Sequence, residues 1–140
     1  MVKRLAVIPA RKGSKRIKNK NIKLFFNKPI FFYSIETAFE SRLFDTIHLS
    51  TDCSKILKLG MTKGLKKVPL RKKILSGDKV PLIEVIKQVN NYYEQNKIFF
   101  DEIWLIMACA PLLNVSDLKG AEKLFSKHKR EFPLMPVTKY

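Results

Sequence analysis

The feature that most constrains the fold is an apolar run at residues 5–10 that stops abruptly at a strongly basic segment. An apolar run of about four to eight residues, bounded by residues typical of loops, is typical of a buried strand in an open α/β sheet. In sheets of this kind, ligands bind beyond the carboxyl ends of the strands. The sequence therefore predicts a buried strand near the amino terminus and a ligand site directly after it.

The segment at residues 11–23 follows this strand and contains seven lysines and arginines. Gly13 permits a positive φ and lets backbone N–H groups approach an anion closely. Ser14 adds a hydroxyl donor. The positive charge nearest to these two residues comes from Arg11, Lys15, Arg16 and Lys20. Together these groups predict a loop that binds a polyphosphate.

The charge of the whole chain favours anionic ligands in general. The chain has 28 lysines and arginines against 12 acidic residues, a formal net charge of +16 at pH 7. Such a charge attracts nucleotides, nucleic acids and acidic membrane surfaces alike. A solvated basic face and a nucleic-acid-binding arm are therefore alternatives to the polyphosphate loop. We favour the loop because it lies between an apolar strand and an amphipathic segment, which a basic arm does not need, and because no aromatic stacking platform is evident.

The rest of the chain alternates between strand and helix patterns. Strands are predicted at residues 45–50, 66–70, 101–108 and 132–137, and helices at residues 29–41, 52–64, 81–93 and 116–127. Asp52 is predicted to cap the second helix with its carboxylate. This alternation predicts βαβ units, and hence an α/β protein with a parallel sheet and helices on both faces, in a single domain over residues 1–140.

Several motifs resemble one enzyme family. Residues 8–23 read IPARxGSKRIxxKNIK, residues 28–36 read KPxxxYSIE, and LFD and STD follow at residues 43–45 and 50–52. These motifs resemble the acylneuraminate cytidylyltransferases, the enzymes that make CMP-sialic, CMP-pseudaminic and CMP-legionaminic acids. The resemblance implies a Rossmann-like three-layer αβα nucleotidyltransferase fold with a mostly parallel sheet. Members of the family are substantially longer, so it also implies that the carboxyl-terminal part of that fold is missing.

The family resemblance also implies a reaction and a set of site residues. The reaction is transfer of CMP from CTP to a nonulosonic, sialic-acid-like sugar with release of pyrophosphate, which makes CMP-sugars for surface glycans. The residues implied to bind the nucleotide are Ala10, Arg11, Ser14, Lys20, Asn21 and Arg71. Arg11 and Lys20 are also implied to be catalytic, because this reaction depends mainly on positioning and on neutralising phosphate charge. For Arg71, a solvated side chain is an equally open interpretation.

The family resemblance implies Mg²⁺ as the cofactor, held by carboxylates and phosphate oxygens. In the family the aspartates concerned lie late in the chain, so the metal ligands stay unidentified here. Asp52 and Asp78 are the only carboxylates near the predicted site that we can nominate. The family pattern also has polar residues where this chain has Val80, Leu82 and Met107, which removes hydrogen-bonding groups from the expected pocket.

The expected partners are CTP and a nine-carbon acidic sugar, with no specific nucleic acid and no membrane. A homodimer or a complementing fragment is a further expectation. Two alternatives stay open: a truncated or diverged, non-catalytic nucleotide-binding protein, and a sugar nucleotidyltransferase that uses another base. The sequence shows no signal peptide pattern and no apolar run of membrane length, which predicts a cytoplasmic protein.

Overall fold

The computed structural model describes residues 1–137. The strands are β1 (Arg4–Pro9), β2 (Leu24–Phe25), β3 (Lys28–Pro29), β4 (Thr46–Ser50) and β5 (Glu102–Leu105). The helices are α1 (Ile30–Ser41), α2 (Ser54–Met61), α3 (Leu82–Gln95) and α4 (Val115–Lys127), with short 3-10 turns at Lys20–Ile22 and Lys73–Leu75. Within these residues, no helix has the length and apolarity needed to cross a membrane.

The main sheet has the strand order β4–β1–β5, and both pairings are parallel. Val7 in the central strand lies opposite His48 of β4 and Leu105 of β5. Residues 5–9 of β1 are all buried, as expected of a strand with a neighbour on each side and a helix layer on each face. The predicted parallel α/β sheet is confirmed, and the structure places its first strand at the centre.

Apolar side chains cover both faces of this sheet. On one face, Ile8 and Leu49 pack with Phe31 and Ile35 of α1 and with Leu118 of α4. On the other face, a second cluster contains Leu5, Val7, Val89 and Tyr93, the last two from α3. The predicted arrangement of helices on both faces of the sheet is therefore confirmed.

The strand predicted at residues 66–70 is wrong. This segment has no regular secondary structure and joins no sheet, and beside it the Arg71 N–H donates to the Thr51 carbonyl at 2.7 Å. Pro69 has no N–H to offer a neighbouring strand, and a proline is accommodated only at edges and bulges. The apolar pattern of the segment is better explained by Leu65 and Val68, which are buried.

The strand predicted at residues 132–137 is also wrong within the part of the chain that the structure describes. These residues are exposed and are assigned to no strand. Pro133 and Pro136 remove two N–H donors from a segment of six residues, which leaves too few for a regular ladder.

Asp52 does not cap the helix that follows it, so that prediction is wrong. Helix α2 has Cys53 at its N-cap, with no side-chain hydrogen bond to the first turn. The Asp52 carboxylate instead accepts the Lys12 N–H at 2.8 Å. It therefore joins the end of β4 to the start of the basic segment.

Gly60 in α2 offers a test of packing against the sheet. A Cβ at this position would lie 2.5 Å from Cδ2 of Leu49 and 3.2 Å from Cδ1 of Leu65, both buried side chains. Overpacking of this kind typically costs about 1–3 kcal/mol. We expect Gly60→Ala to lower the free energy of unfolding, measured by urea titration, by about 1–2 kcal/mol.

Gly120 in α4 is the matched control, since a Cβ there would meet nothing within 4 Å. Gly120→Ala should raise the free energy of unfolding by about 0.5–1 kcal/mol through helix propensity alone. If Gly60→Ala and Gly120→Ala raised the free energy of unfolding equally, Gly60 would not lie as close to Leu49 and Leu65 as the structure places it.

Candidate nucleotide site at the carboxyl ends of β1 and β4

The predicted site residues begin where β1 ends. Ala10 is fully buried, and its N–H donates to the Ser50 carbonyl at 2.8 Å, which extends the pairing of β1 with β4 by one step. Arg11 is the next residue and the first to leave the sheet. The basic segment therefore starts at the carboxyl edge of the central strand, where ligands bind in open α/β sheets.

Arg11 is held at both its backbone and its side chain. Asn21, which is buried, donates from Nδ2 to the Arg11 carbonyl at 2.9 Å. The guanidinium donates from Nη1 to the Ser76 carbonyl at 3.3 Å, and Nη2 pairs with Oδ1 of Asp78 at 2.6 Å. The structure therefore brings Arg11 and Asn21 together and fixes the direction in which the guanidinium points.

The loop formed by residues 11–19 folds back on itself. The Ser14 N–H donates to the Lys12 carbonyl at 3.0 Å, and Lys15 Nζ lies 2.6 Å from Oδ2 of Asp78. Hydrogen bonds from Lys15 and then Arg11 hold the pKa of Asp78 below its usual range. One carboxylate thus bridges two of the cations that were predicted to meet phosphate.

Lys20 directly follows this loop in the chain. It begins the 3-10 turn Lys20–Ile22, directly after Asn19, whose φ of 55° is left-handed. The Lys20 carbonyl accepts the Lys23 N–H at 3.2 Å, and the turn is joined to α1 by the hydrogen bond from the Ile30 N–H to the Lys23 carbonyl at 2.9 Å. Lys20 and Ser14 are both half-buried, so each is positioned by the fold at a site still open to solvent.

Arg71 is a buried arginine at the end of β4. It is only 7% exposed, and it donates from Nε to Oγ of Ser50 at 3.0 Å and from Nη2 to the Ser50 carbonyl at 2.7 Å. The interpretation of Arg71 as a solvated side chain is therefore wrong. Burial lowers the pKa of Arg71, and the nearby charge of Arg11 lowers it further, although Asp52 opposes this.

Ser50 is the site residue that sequence reasoning missed. Its carbonyl accepts from both Ala10 and Arg71, and its hydroxyl accepts from Arg71 as well. The available signal was a polar residue at the carboxyl end of a strand, followed by Thr51 and Asp52. That signal places Ser50 at the right edge of the sheet but does not reveal its partners.

A narrow cavity lies behind Arg71. Its lining comes from His48, Ser50, Pro69, Arg71, Gln88, Val89 and Tyr92. Nδ1 of His48 lies 3.1 Å from the Tyr93 hydroxyl, and burial, together with the charge of Arg71, lowers the pKa of His48 to about 4. His48 is therefore neutral near pH 7 and acts as a core side chain rather than as a proton donor at the site.

The carboxylates near the site do not fit a Mg²⁺ site. Asp52 accepts the Lys12 N–H, and Asp78 is engaged by Arg11 and Lys15. In residues 1–137, no group of three or more His, Cys, Asp or Glu side chains is arranged to hold a metal ion. Magnesium therefore stays a prediction, and these residues on their own do not account for its binding.

Comparisons with known proteins identify the family. The sequence model of the family described as Cytidylyltransferase matches residues 5–132. The chain is 37% identical over 131 residues to a pseudaminic acid cytidylyltransferase of Campylobacter jejuni, an alignment that covers 94% of this chain and 56% of that protein. It is 31% identical over 120 residues to a CMP-N,N'-diacetyllegionaminic acid synthase of Legionella pneumophila, covering 86% of this chain and 52% of that protein.

A solved structure has the same fold. The CMP:2-keto-3-deoxy-manno-octonic acid synthetase complexed with CTP superposes with a TM-score of 0.74 and 19% sequence identity, covering 91% of this chain and 48% of that chain. This confirms the predicted fold class. The chain spans about half the length of the first two relatives, 56% and 52%. On the match of the family model to residues 5–132, this chain belongs to the cytidylyltransferase family.

Proposed function

We propose that this chain binds CTP at the carboxyl ends of β1 and β4, as part of a cytidylyltransferase that transfers CMP to a nonulosonic acid. The observation that carries the proposal is the convergence of Arg11 and Arg71 on the strand ends, next to the basic loop. The relatives named for pseudaminic and legionaminic acids support an acidic nine-carbon sugar as the acceptor. The CTP complex of the structural neighbour supports the choice of nucleotide.

The proposed reaction requires no covalent bond between the protein and the substrates. An anionic oxygen of the sugar, whose proton has passed to solvent, attacks the α-phosphorus of CTP. The bond from this phosphorus to the bridging oxygen breaks, and pyrophosphate leaves. Arg11 and Lys20 neutralise the charge on the phosphates, and Ser14 donates a hydrogen bond to them. Catalysis of this type comes from positioning and from groups oriented before the reaction starts. The hydrogen bond of Asn21 to the Arg11 backbone supplies part of that orientation.

A second candidate function is a nucleotide-binding chain that is not catalytic alone. One specific observation favours it: within residues 1–137, no group of three or more His, Cys, Asp or Glu side chains is arranged to hold a metal ion. A sugar nucleotidyltransferase that uses another base is distinguished from both candidates by its nucleotide preference.

We expect the chain to bind CTP more tightly than ATP or GTP in calorimetric titrations, and Lys20→Ala to weaken CTP binding most. A hydrogen bond to a charged group contributes about 1.5–3 kcal/mol, so the loss should be tenfold or more. Lys127→Ala is the matched control. Lys127 is exposed at the end of α4, so its substitution removes the same charge away from the proposed site. Equal binding of the three nucleotides, unaffected by Lys20→Ala, would refute the proposed function.

A further inference from the structure

Asp78 pairs with two cations of the basic loop. Its Oδ1 is 2.6 Å from Nη2 of Arg11, and its Oδ2 is 2.6 Å from Nζ of Lys15. The two carboxylate oxygens therefore meet two cations that approach from the loop. The oxygens of a phosphate group prefer the same type of donor, in the same charge-assisted contacts.

The bridge is easy to exchange. The side chains of Arg11 and Asp78 are each 31% exposed, and that of Lys15 is 85% exposed. Ion pairs that are open to water contribute little to stability, so the fold does not depend on keeping this one. A ligand with several negative charges can therefore replace Asp78 without disturbing the sheet or the core.

We propose that Asp78 is an internal competitor of the phosphate ligand, which neutralises Arg11 and Lys15 in the free chain and is displaced when a polyphosphate binds. The proposal rests on the proposed function, because it requires that the basic loop binds phosphates. It adds a residue that sets the affinity of the site. The free loop carries a bound carboxylate instead of uncompensated charge, and weak anions are excluded more strongly than a triphosphate.

The competing role for Asp78 is that of a metal ligand, and the two roles predict opposite effects. An internal competitor weakens polyphosphate binding when no metal is present. A metal ligand strengthens nucleotide binding, but only when Mg²⁺ is added. Titrations in EDTA and in Mg²⁺ therefore separate them.

The experiment uses calorimetric titration of the full chain with inorganic tripolyphosphate and with CTP, in EDTA at low salt. We expect Asp78→Asn to tighten the binding of both ligands by about fivefold, the effect of removing one close negative charge in water. In 1 M salt this difference should approach zero, because the screening length falls to about 3 Å. Asp78→Ala should behave in the same way, and thermal unfolding of both variants verifies that they fold.

Glu131→Gln is the matched control. Glu131 is exposed and follows Arg130, which pairs with Glu102 at the opposite end of the sheet, so this change alters the net charge without touching the loop. Its binding constants should stay within about twofold of the parent chain.

If Asp78→Asn bound tripolyphosphate and CTP in EDTA no more tightly than the parent chain, the inference would be overturned. CTP binding by the parent chain would in that case still support the proposed function. If Asp78→Asn bound CTP more weakly than the parent chain only in the presence of Mg²⁺, Asp78 would be a metal ligand, and the inference would be overturned as well. If neither ligand bound to the parent chain or to any variant, the inference and the proposed function would both fall.

Discussion

The 140-residue chain alone is expected to release no pyrophosphate above background from CTP and a nine-carbon sialic-type acid, even with Mg²⁺ present. The basic loop can hold the triphosphate in its ground state, but binding that is equal in ground and transition states does not lower the chemical barrier. A metal ion contributes several kcal/mol of charge stabilisation in such transfers. In the part of the chain that the structure describes, no group of three or more His, Cys, Asp or Glu side chains is arranged to provide that site.

The exposed edge of the sheet is where we expect a complementing fragment to bind. Strand β5 lies at the edge, and the side chains of Ile103 and Leu105 are 37% and 39% exposed along it. Within residues 1–137 no strand pairs with the outer side of β5, and an edge of this kind is a template for another strand. The chain spans 56% of the pseudaminic acid relative, so we expect a polypeptide corresponding to the rest of that relative to add at β5.

The measurement is a pyrophosphate-release assay of the chain alone and with such a fragment added. Release should rise only when the fragment is present. Ile103→Asp should prevent the rise, because it places a charge on the edge strand, and should leave CTP binding unchanged, because Ile103 lies opposite Leu5, near the amino end of β1. Strong release from the isolated chain would contradict the prediction and would mean that Asp52 or Asp78 does hold the metal.

The sequence predicted the elements whose signals are local. Residues 5–10 form a buried strand because an unbroken apolar run satisfies both faces of a parallel sheet. The helix predicted from residue 81 begins at Leu82 after Pro81, which supplies the fixed φ of a helix start. The helix predicted at residues 116–127 also exists, with Asn114 and Asp117 forming a reciprocal capping box.

The details of the site depend on contacts between distant residues, which no local pattern encodes. Arg71 could not be separated from a solvated arginine because its partner, Ser50, lies 21 residues away. Asp78 meets Arg11 across a separation of 67 residues, 78 minus 11, so its role as a bridge was not visible. The wrong assignment of Asp52 has the same cause, since a cap is a local interpretation and its actual partner, Lys12, is 40 residues away.

The short hairpin of β2 and β3 was missed for a different reason. Its two central residues, Phe26 and Asn27, both have positive φ, at 44° and 66°. Tight hairpin turns of this kind usually carry Gly or Asn at both central positions. A phenylalanine at the first position conceals the signal. The Tyr33 hydroxyl, which donates to the Phe25 carbonyl at 2.7 Å, holds the hairpin against α1.

Glu102, at the amino end of β5, is the residue whose substitution we expect to change the free energy of unfolding most. Its side chain is only 3% exposed, and its carboxylate accepts from Nε of Arg4 at 2.8 Å and from Nε1 of Trp104 at 2.9 Å, while Nε of Arg130 lies 2.5 Å away. Burial favours the protonated form, but the hydrogen bonds from Trp104, Arg130 and Arg4 outweigh it and hold the pKa of Glu102 below its usual range. The charged carboxylate therefore stabilises the fold.

We expect Glu102→Gln to lower the free energy of unfolding at pH 7 by about 3 kcal/mol, as when one partner of a buried ion pair is removed. The control Glu84→Gln, in an exposed pair with Lys87, should change it by less than about 0.5 kcal/mol. Because the pKa of Glu102 is lower in the folded chain than in the unfolded chain, its contribution is complete above the ordinary glutamate pKa of about 4.3 and is lost as the pH falls through the folded value. The difference between the parent chain and Glu102→Gln, followed by urea titration from neutral to acid pH, should therefore shrink only in acid. A difference that stays constant into the acid range would show that the carboxylate charge is not what stabilises this end of the sheet.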